Sequence, residues 1–101
     1  MTQFRAATLA ELAGAGLMQR QVAGKKLLLV RVGASVSAYE DRCAHLGLPL
    51  SGGRLEGTSL FCPAHEWEYD ALTGQGRNPK SACLKSFPVT IDRDEILVEL
   101  G

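Results

Sequence analysis

No apolar run in this 101-residue chain approaches the roughly 20 residues that cross a bilayer as a helix. The longest strongly apolar stretch is Leu27–Val30, so no membrane span is expected. A surplus of charge is missing too. The 11 Lys and Arg balance 11 Asp and Glu, which argues against nucleic-acid binding, where a basic excess is required. Met1 to Ala15 lacks the basic segment and apolar stretch of a signal peptide, so a cytoplasmic location is expected. Three cysteines cannot build a disulfide framework, and in a reducing compartment such thiols bind metal or stay unpaired.

Helical periodicity is almost absent. What remains are short strands punctuated by turns. Phe4–Ala7 reads as an edge strand, and Thr8-Leu9-Ala10-Glu11 as a capping box opening one helical turn that Gly14 and Gly16 stop. Leu17–Ala23 and Lys26–Val32 form a hairpin around Gly24-Lys25, followed by a strand over Ser35–Tyr39. Further strands are expected at Gly53–Glu56, Ser59–Phe61, Trp67–Asp70, Phe87–Ile91 and Glu95–Leu100. In the last of these Ile96, Val98 and Leu100 alternate with Glu95, Leu97 and Glu99, the period-two pattern of a half-buried strand. With no linker, repeat or low-complexity segment, residues 1–101 read as one all-β domain, a sandwich or small barrel. A chain this short buries a modest core, and a bound metal would staple it.

Both histidines and two of the cysteines fall into two short motifs, Cys43-Ala44-His45 and Cys62-Pro63-Ala64-His65. Turn residues surround each, Gly47 and Pro49 after the first and Pro63 within the second. The Gly53–Phe61 hairpin should bring the two loops side by side. Zinc also accepts two Cys and two His. Zinc fingers, however, place the Cys pair before the His pair, whereas here the order alternates. An iron–sulfur cluster is the favoured reading and a structural zinc-binding module the alternative.

The spacing of the two motifs resembles that of the Rieske family. The resemblance is strongest from Ala38 onward and implies an antiparallel β-sandwich with a small cluster-binding subdomain over roughly 41–70. It implies one 2Fe–2S cluster, with Cys43 and Cys62 on one iron and His45 and His65 on the other. An all-thiolate cluster starts with a double negative charge and adds a third on reduction. Two neutral imidazoles leave the oxidised cluster neutral, so the electron enters against less negative charge. The potential accordingly rises from around −400 mV to between roughly −150 and +300 mV. Respiratory members of the family carry a disulfide at the positions of Leu48 and Ala64, and a hydroxyl donor at that of Trp67. Tyr69 does occupy the family's tyrosine position. Fewer donors to the cluster sulfurs place the potential near the low end, around −150 mV.

The stretches Cys62–Asp70, Thr73–Pro79, Cys83-Leu84 and Phe87-Pro88-Val89 are most similar to the ferredoxin component of toluene-type diiron monooxygenases. The resemblance implies an electron carrier and not an enzyme, a free monomer linking an NADH-dependent flavin reductase to a terminal oxygenase hydroxylase for aromatic hydrocarbons. Ferredoxins of aromatic-ring dioxygenases are the second reading, and the ligand-poor Rieske-like subunit of nitrite reductase a third. In the family a proline-bearing loop covers the cluster, for which Asn78-Pro79 is the candidate. Cys83 reads as a small buried hydrophobe and Trp67 as packing. Residues 40–70 hold six acids, Glu40, Asp41, Glu56, Glu66, Glu68 and Asp70, against Arg42 and Arg54. An acidic cluster end that docks on basic partner surfaces is the expectation.

Overall fold

Four consecutive apolar residues at Leu27–Val30 do not suit a strand with one wet face, because successive side chains point to opposite sides and both need cover. The structure, a computed structural model, describes residues 3–12, 16–42, 49–63, 67–78 and 80–100 and supplies that cover. Strand β1 spans Gln3–Thr8, β2 Leu17–Val22, β3 Lys25–Val32 and β4 Ser35–Glu40. A 3-10 turn at Leu50–Gly52 leads into β5 (Arg54–Glu56), β6 (Ser59–Phe61), β7 (Glu68–Asp70) and β8 (Gly76–Asn78). Then come β9 (Ser86–Phe87), β10 (Val89–Asp92) and β11 (Glu95–Glu99). Among the described residues no α-helix occurs, and the strands pair antiparallel in three sheets ordered β1-β11-β10, β2-β3-β4-β9 and β5-β6-β7-β8.

The sheet containing β3 is the middle layer. Leu27 and Leu29 pack with Ala38, Ala6, Ala7, Ile96 and Val98 toward the three-stranded sheet. Leu28 and Val30 pack with Tyr39, Leu60 and Tyr69 toward the β5–β8 sheet. The antiparallel β architecture expected from the sequence is therefore present, drawn out into three sheets. Each buried Leu contributes about 1.5–3 kcal/mol, so this one strand ties the whole molecule together. Tyr39 donates its buried hydroxyl to the Ala71 carbonyl at 2.8 Å. Burial pushes that phenol above its ordinary pKa.

Several boundaries differ from expectation for identifiable reasons. The β2–β3 turn falls at Ala23-Gly24, not Gly24-Lys25. Both turn residues have positive φ, 50° and 80°, the type I′ geometry whose twist matches the flanking strands. The capping box is real but isolated. The Thr8 N–H donates to Glu11 Oε1 at 2.9 Å and the Glu11 N–H to Thr8 Oγ1 at 3.2 Å. The bond from the Thr8 N–H holds the exposed Glu11 carboxyl below its ordinary pKa. Gly14, its expected stop, lies outside the described residues. The single strand expected over Phe87–Ile91 is two. Phe87 pairs with β4 and Val89 with β11, the chain changing sheets at Pro88, which has no N–H to give a ladder. Cys83 is exposed, not buried. Its neighbours Ala82 and Leu84 take the inward positions instead, as alternation along an extended segment requires.

Candidate metal centre

Of the four residues singled out as ligands, Cys62 is described, whereas Cys43, His45 and His65 lie outside the described residues, as do Gly47, Leu48, Ala64, Glu66 and Pro79. The chain on either side of the two motifs frames them. The β6–β7 ladder runs Ser59↔Asp70, Leu60↔Tyr69, Phe61↔Glu68 and is extended by the Cys62 N–H, which donates to the Trp67 carbonyl at 2.8 Å. The strands on either side of the second motif are thus joined at its base by a bond from its own cysteine.

Cys62 is only 2% exposed and belongs to the core of Leu28, Leu50, Leu60 and Tyr69, with Trp67 packed partly buried against it. A thiolate in such apolar surroundings is costly unless a metal compensates its charge. The position suits an inner, sulfur-ligated iron. Trp67 serves as packing, as its sequence context indicates.

The segment leaving the first motif meets the segment entering the second. The β5–β6 pairing sets Arg54 opposite Phe61, so the next register position sets Gly53 opposite Cys62. A Cβ on Gly53 would lie 1.9 Å from the Phe61 carbonyl oxygen, and one on Gly52 would touch Pro63 Cγ at 3.8 Å. Only glycine permits the first approach. Leu50, fully buried, joins the same core as Cys62. The β5–β6 hairpin therefore brings the flanks of the two motif loops together, as its position in the sequence implies.

The base of the first loop is held by a residue that sequence reasoning counted only as a charge. Asp41 is 6% exposed. Its carboxylate accepts the Ser51 N–H at 2.8 Å and the Ser51 hydroxyl at 2.9 Å, and also a short bond from the Gln19 amide. Ser51 lies beyond the first motif and Asp41 before it, so the pair clamps the loop's two ends. Gln75 plays a similar part for the segment bearing Pro79, donating to the Lys80 carbonyl at 2.9 Å. No local motif announces either clamp, because the partners meet only in the fold.

Among the described residues the acids do not form the expected free acidic docking face. Glu56 pairs with Arg54. Arg77, from outside the 40–70 segment, lies 3.4 Å from Asp70 and 3.9 Å from Glu68 and donates to the Ser59 hydroxyl at 2.6 Å. With Asp41 turned inward, four of the five described acids of that segment already have partners. Arg54 also stacks on Phe61, 4.3 Å from the ring centre.

Comparison with known proteins decides the family. The model of the Rieske [2Fe-2S] domain matches residues 2–88. This chain is a member of the Rieske family. Its cofactor is accordingly a 2Fe–2S cluster. Among similar proteins, the ferredoxin component of the alkene monooxygenase system of Xanthobacter autotrophicus (strain ATCC BAA-1158 / Py2) is 38% identical over 74 residues. That match covers 72% of this Rieske chain but 61% of the relative, less than two thirds of its length. The ferredoxin of carbazole 1,9a-dioxygenase from Nocardioides aromaticivorans IC177 is 31% identical with a TM-score of 0.87, over 97% of both chains. A chain from the complex of reduced oxygenase and oxidized ferredoxin in carbazole 1,9a-dioxygenase is 26% identical with a TM-score of 0.83, over 95% of this chain and 91% of that one. Among the described residues no helix is long and apolar enough to cross a membrane.

Proposed function

We propose that this Rieske protein is a ferredoxin that carries single electrons from an NADH-dependent flavin reductase to a diiron monooxygenase hydroxylase acting on aromatic hydrocarbons. In this reading the chain works in the cytoplasm, is monomeric when free, and performs no catalysis alone. Cys43 and Cys62 hold one iron, and His45 and His65 hold the other. The cluster-binding part spans roughly 41–70. When bound, the cluster supplies reversible one-electron exchange. The protein's task is to bury the thiolate side, to keep the two loops in register, and to leave the histidine side nearest the surface for transfer. The burial of Cys62 in the core, where the flanks of both motif loops meet, carries this reading.

The monooxygenase assignment draws on the ferredoxin component of the alkene monooxygenase system, 38% identical where it aligns. A second reading, service to an aromatic-ring-hydroxylating dioxygenase, draws on the carbazole dioxygenase ferredoxin, which matches over 97% of each chain. Reconstitution separates them. The chain, a flavin reductase and NADH are mixed with a diiron hydroxylase or with a ring-hydroxylating dioxygenase, and product is followed by chromatography. Monohydroxylated product that requires the chain supports the first reading, whereas dihydrodiol formed only with the dioxygenase selects the second. Product from neither would overturn both.

A further inference from the structure

Three of the described acids of the 40–70 segment, Glu56, Glu68 and Asp70, lie beside arginines, but a set of cations beside the first motif has no such partners among the described residues. Lys25 and Lys26 open β3, Arg42 directly precedes Cys43, and Lys85 leads into β9. All four are exposed, and among the described residues none of them lies within ion-pair distance of a carboxylate. They line an open groove of about 590 Å³ that also includes Glu40, Asp41, Pro49 and Phe87.

Backbone bonds tie the segments of the groove together. The Asp41 N–H donates to the Lys26 carbonyl at 3.0 Å, and the Glu40 N–H to the Lys85 carbonyl at 2.9 Å. Lys25 and Lys85 set their ammonium groups 5.7 and 5.6 Å from the centre of the Phe87 ring, an attraction that fixes where the charges sit. Four cations, Lys25, Lys26, Arg42 and Lys85, face two carboxylates there, Glu40 and Asp41. The net charge of the groove lining is therefore positive.

We propose that this groove docks the carboxylate-bearing face of a protein redox partner and so aligns it with the cluster loop. The inference rests on the reading of the chain as an electron carrier, and it reverses the sign of the docking charge expected from sequence. A protein face suits the groove better than a small anion. The cations stand apart on three segments around an open, solvent-filled rim and do not converge on one point. Complementary charge of this kind raises association rates, and salt weakens the effect.

The test uses the cluster-loaded protein, wild type and the double variant Lys26→Glu/Lys85→Glu, both carried on exposed side chains. Circular dichroism and the visible spectrum must match between them. Reduced protein is first oxidised in a stopped-flow instrument by ferricyanide, an anionic one-electron acceptor, across a range of ionic strength. The wild-type rate should fall with added salt, and the variant should be roughly tenfold slower at low salt. Transfer to the oxygenase component is then measured with the same pair, and a similar slowing is expected. A Lys26→Gln/Lys85→Gln variant should fall between the two. Equal rates for wild type and the Glu variant, or a faster variant, would overturn the groove as a docking site. Failure of the wild type to pass electrons to any oxygenase would instead overturn the carrier reading, leaving the ferricyanide rates to decide the sign of the field.

Discussion

The two outer sheets cover opposite faces of the same central strands, yet they are built differently. The three-stranded sheet has long members, six residues in β1 and five in β11, sealed by Ile96 and Val98 with Ala6 and Ala7. The sheet on the other side consists of four strands of three residues each. Strands so short offer few ladder bonds, and the second motif lies in the connection between two of them, β6 and β7. One layer can stand on apolar packing. The other has a cysteine in its core and relies on cross-chain clamps such as Asp41 with Ser51. A metal that ties Cys62 to the first motif would add what the short strands lack.

Removing the staple should have the largest effect. Cys62→Ser should abolish the visible spectrum of the cluster outright. In hydrogen exchange the amides of β5–β8 should lose protection while those of β1 and β11 keep most of theirs. Uniform loss across all three sheets would show that the two outer layers do not differ in this way.

A finer comparison uses neighbours on one strand. Leu28 and Leu29 are both fully buried, but on opposite faces of β3. Truncation of either to Ala should cost about 2–5 kcal/mol in denaturant unfolding. Only Leu28→Ala should also hasten release of iron to a chelator. Equal release from both variants would mean that the cluster-side layer does not sense its own core. The smallest effect belongs to Arg77→Ala, on the outer face of the short-stranded sheet. Its ion pairs are partly exposed and should be worth less than about 1 kcal/mol. Electron transfer to ferricyanide should nevertheless slow modestly, because Glu68 and Asp70 are left uncovered.

The difference between the layers also explains what could be read in advance. The alternation in Ile96 and Val98 is local, and the strand it defines appears where expected. The four-residue run at Leu27–Val30 was visible as apolar, but that it joins two cores depends on sheets contributed from distant sequence. The short β8 carries Gly76-Arg77-Asn78, residues that favour turns, and only pairing with β7 makes it a strand. At the site, the alternating Cys-His pattern pointed to the family directly. The neutralisation of Glu68 and Asp70 did not, since Arg77 reaches them across a ladder whose register no single segment encodes.

Pulsed electron paramagnetic resonance of the dithionite-reduced protein, with iron and sulfide analysis of the same sample, tests the ligand set most directly. Hyperfine coupling from two imidazole nitrogens, with two irons and two sulfides per chain, is the predicted result. A cluster signal without nitrogen coupling, or a colourless protein that holds zinc, would contradict ligation by Cys43, His45, Cys62 and His65.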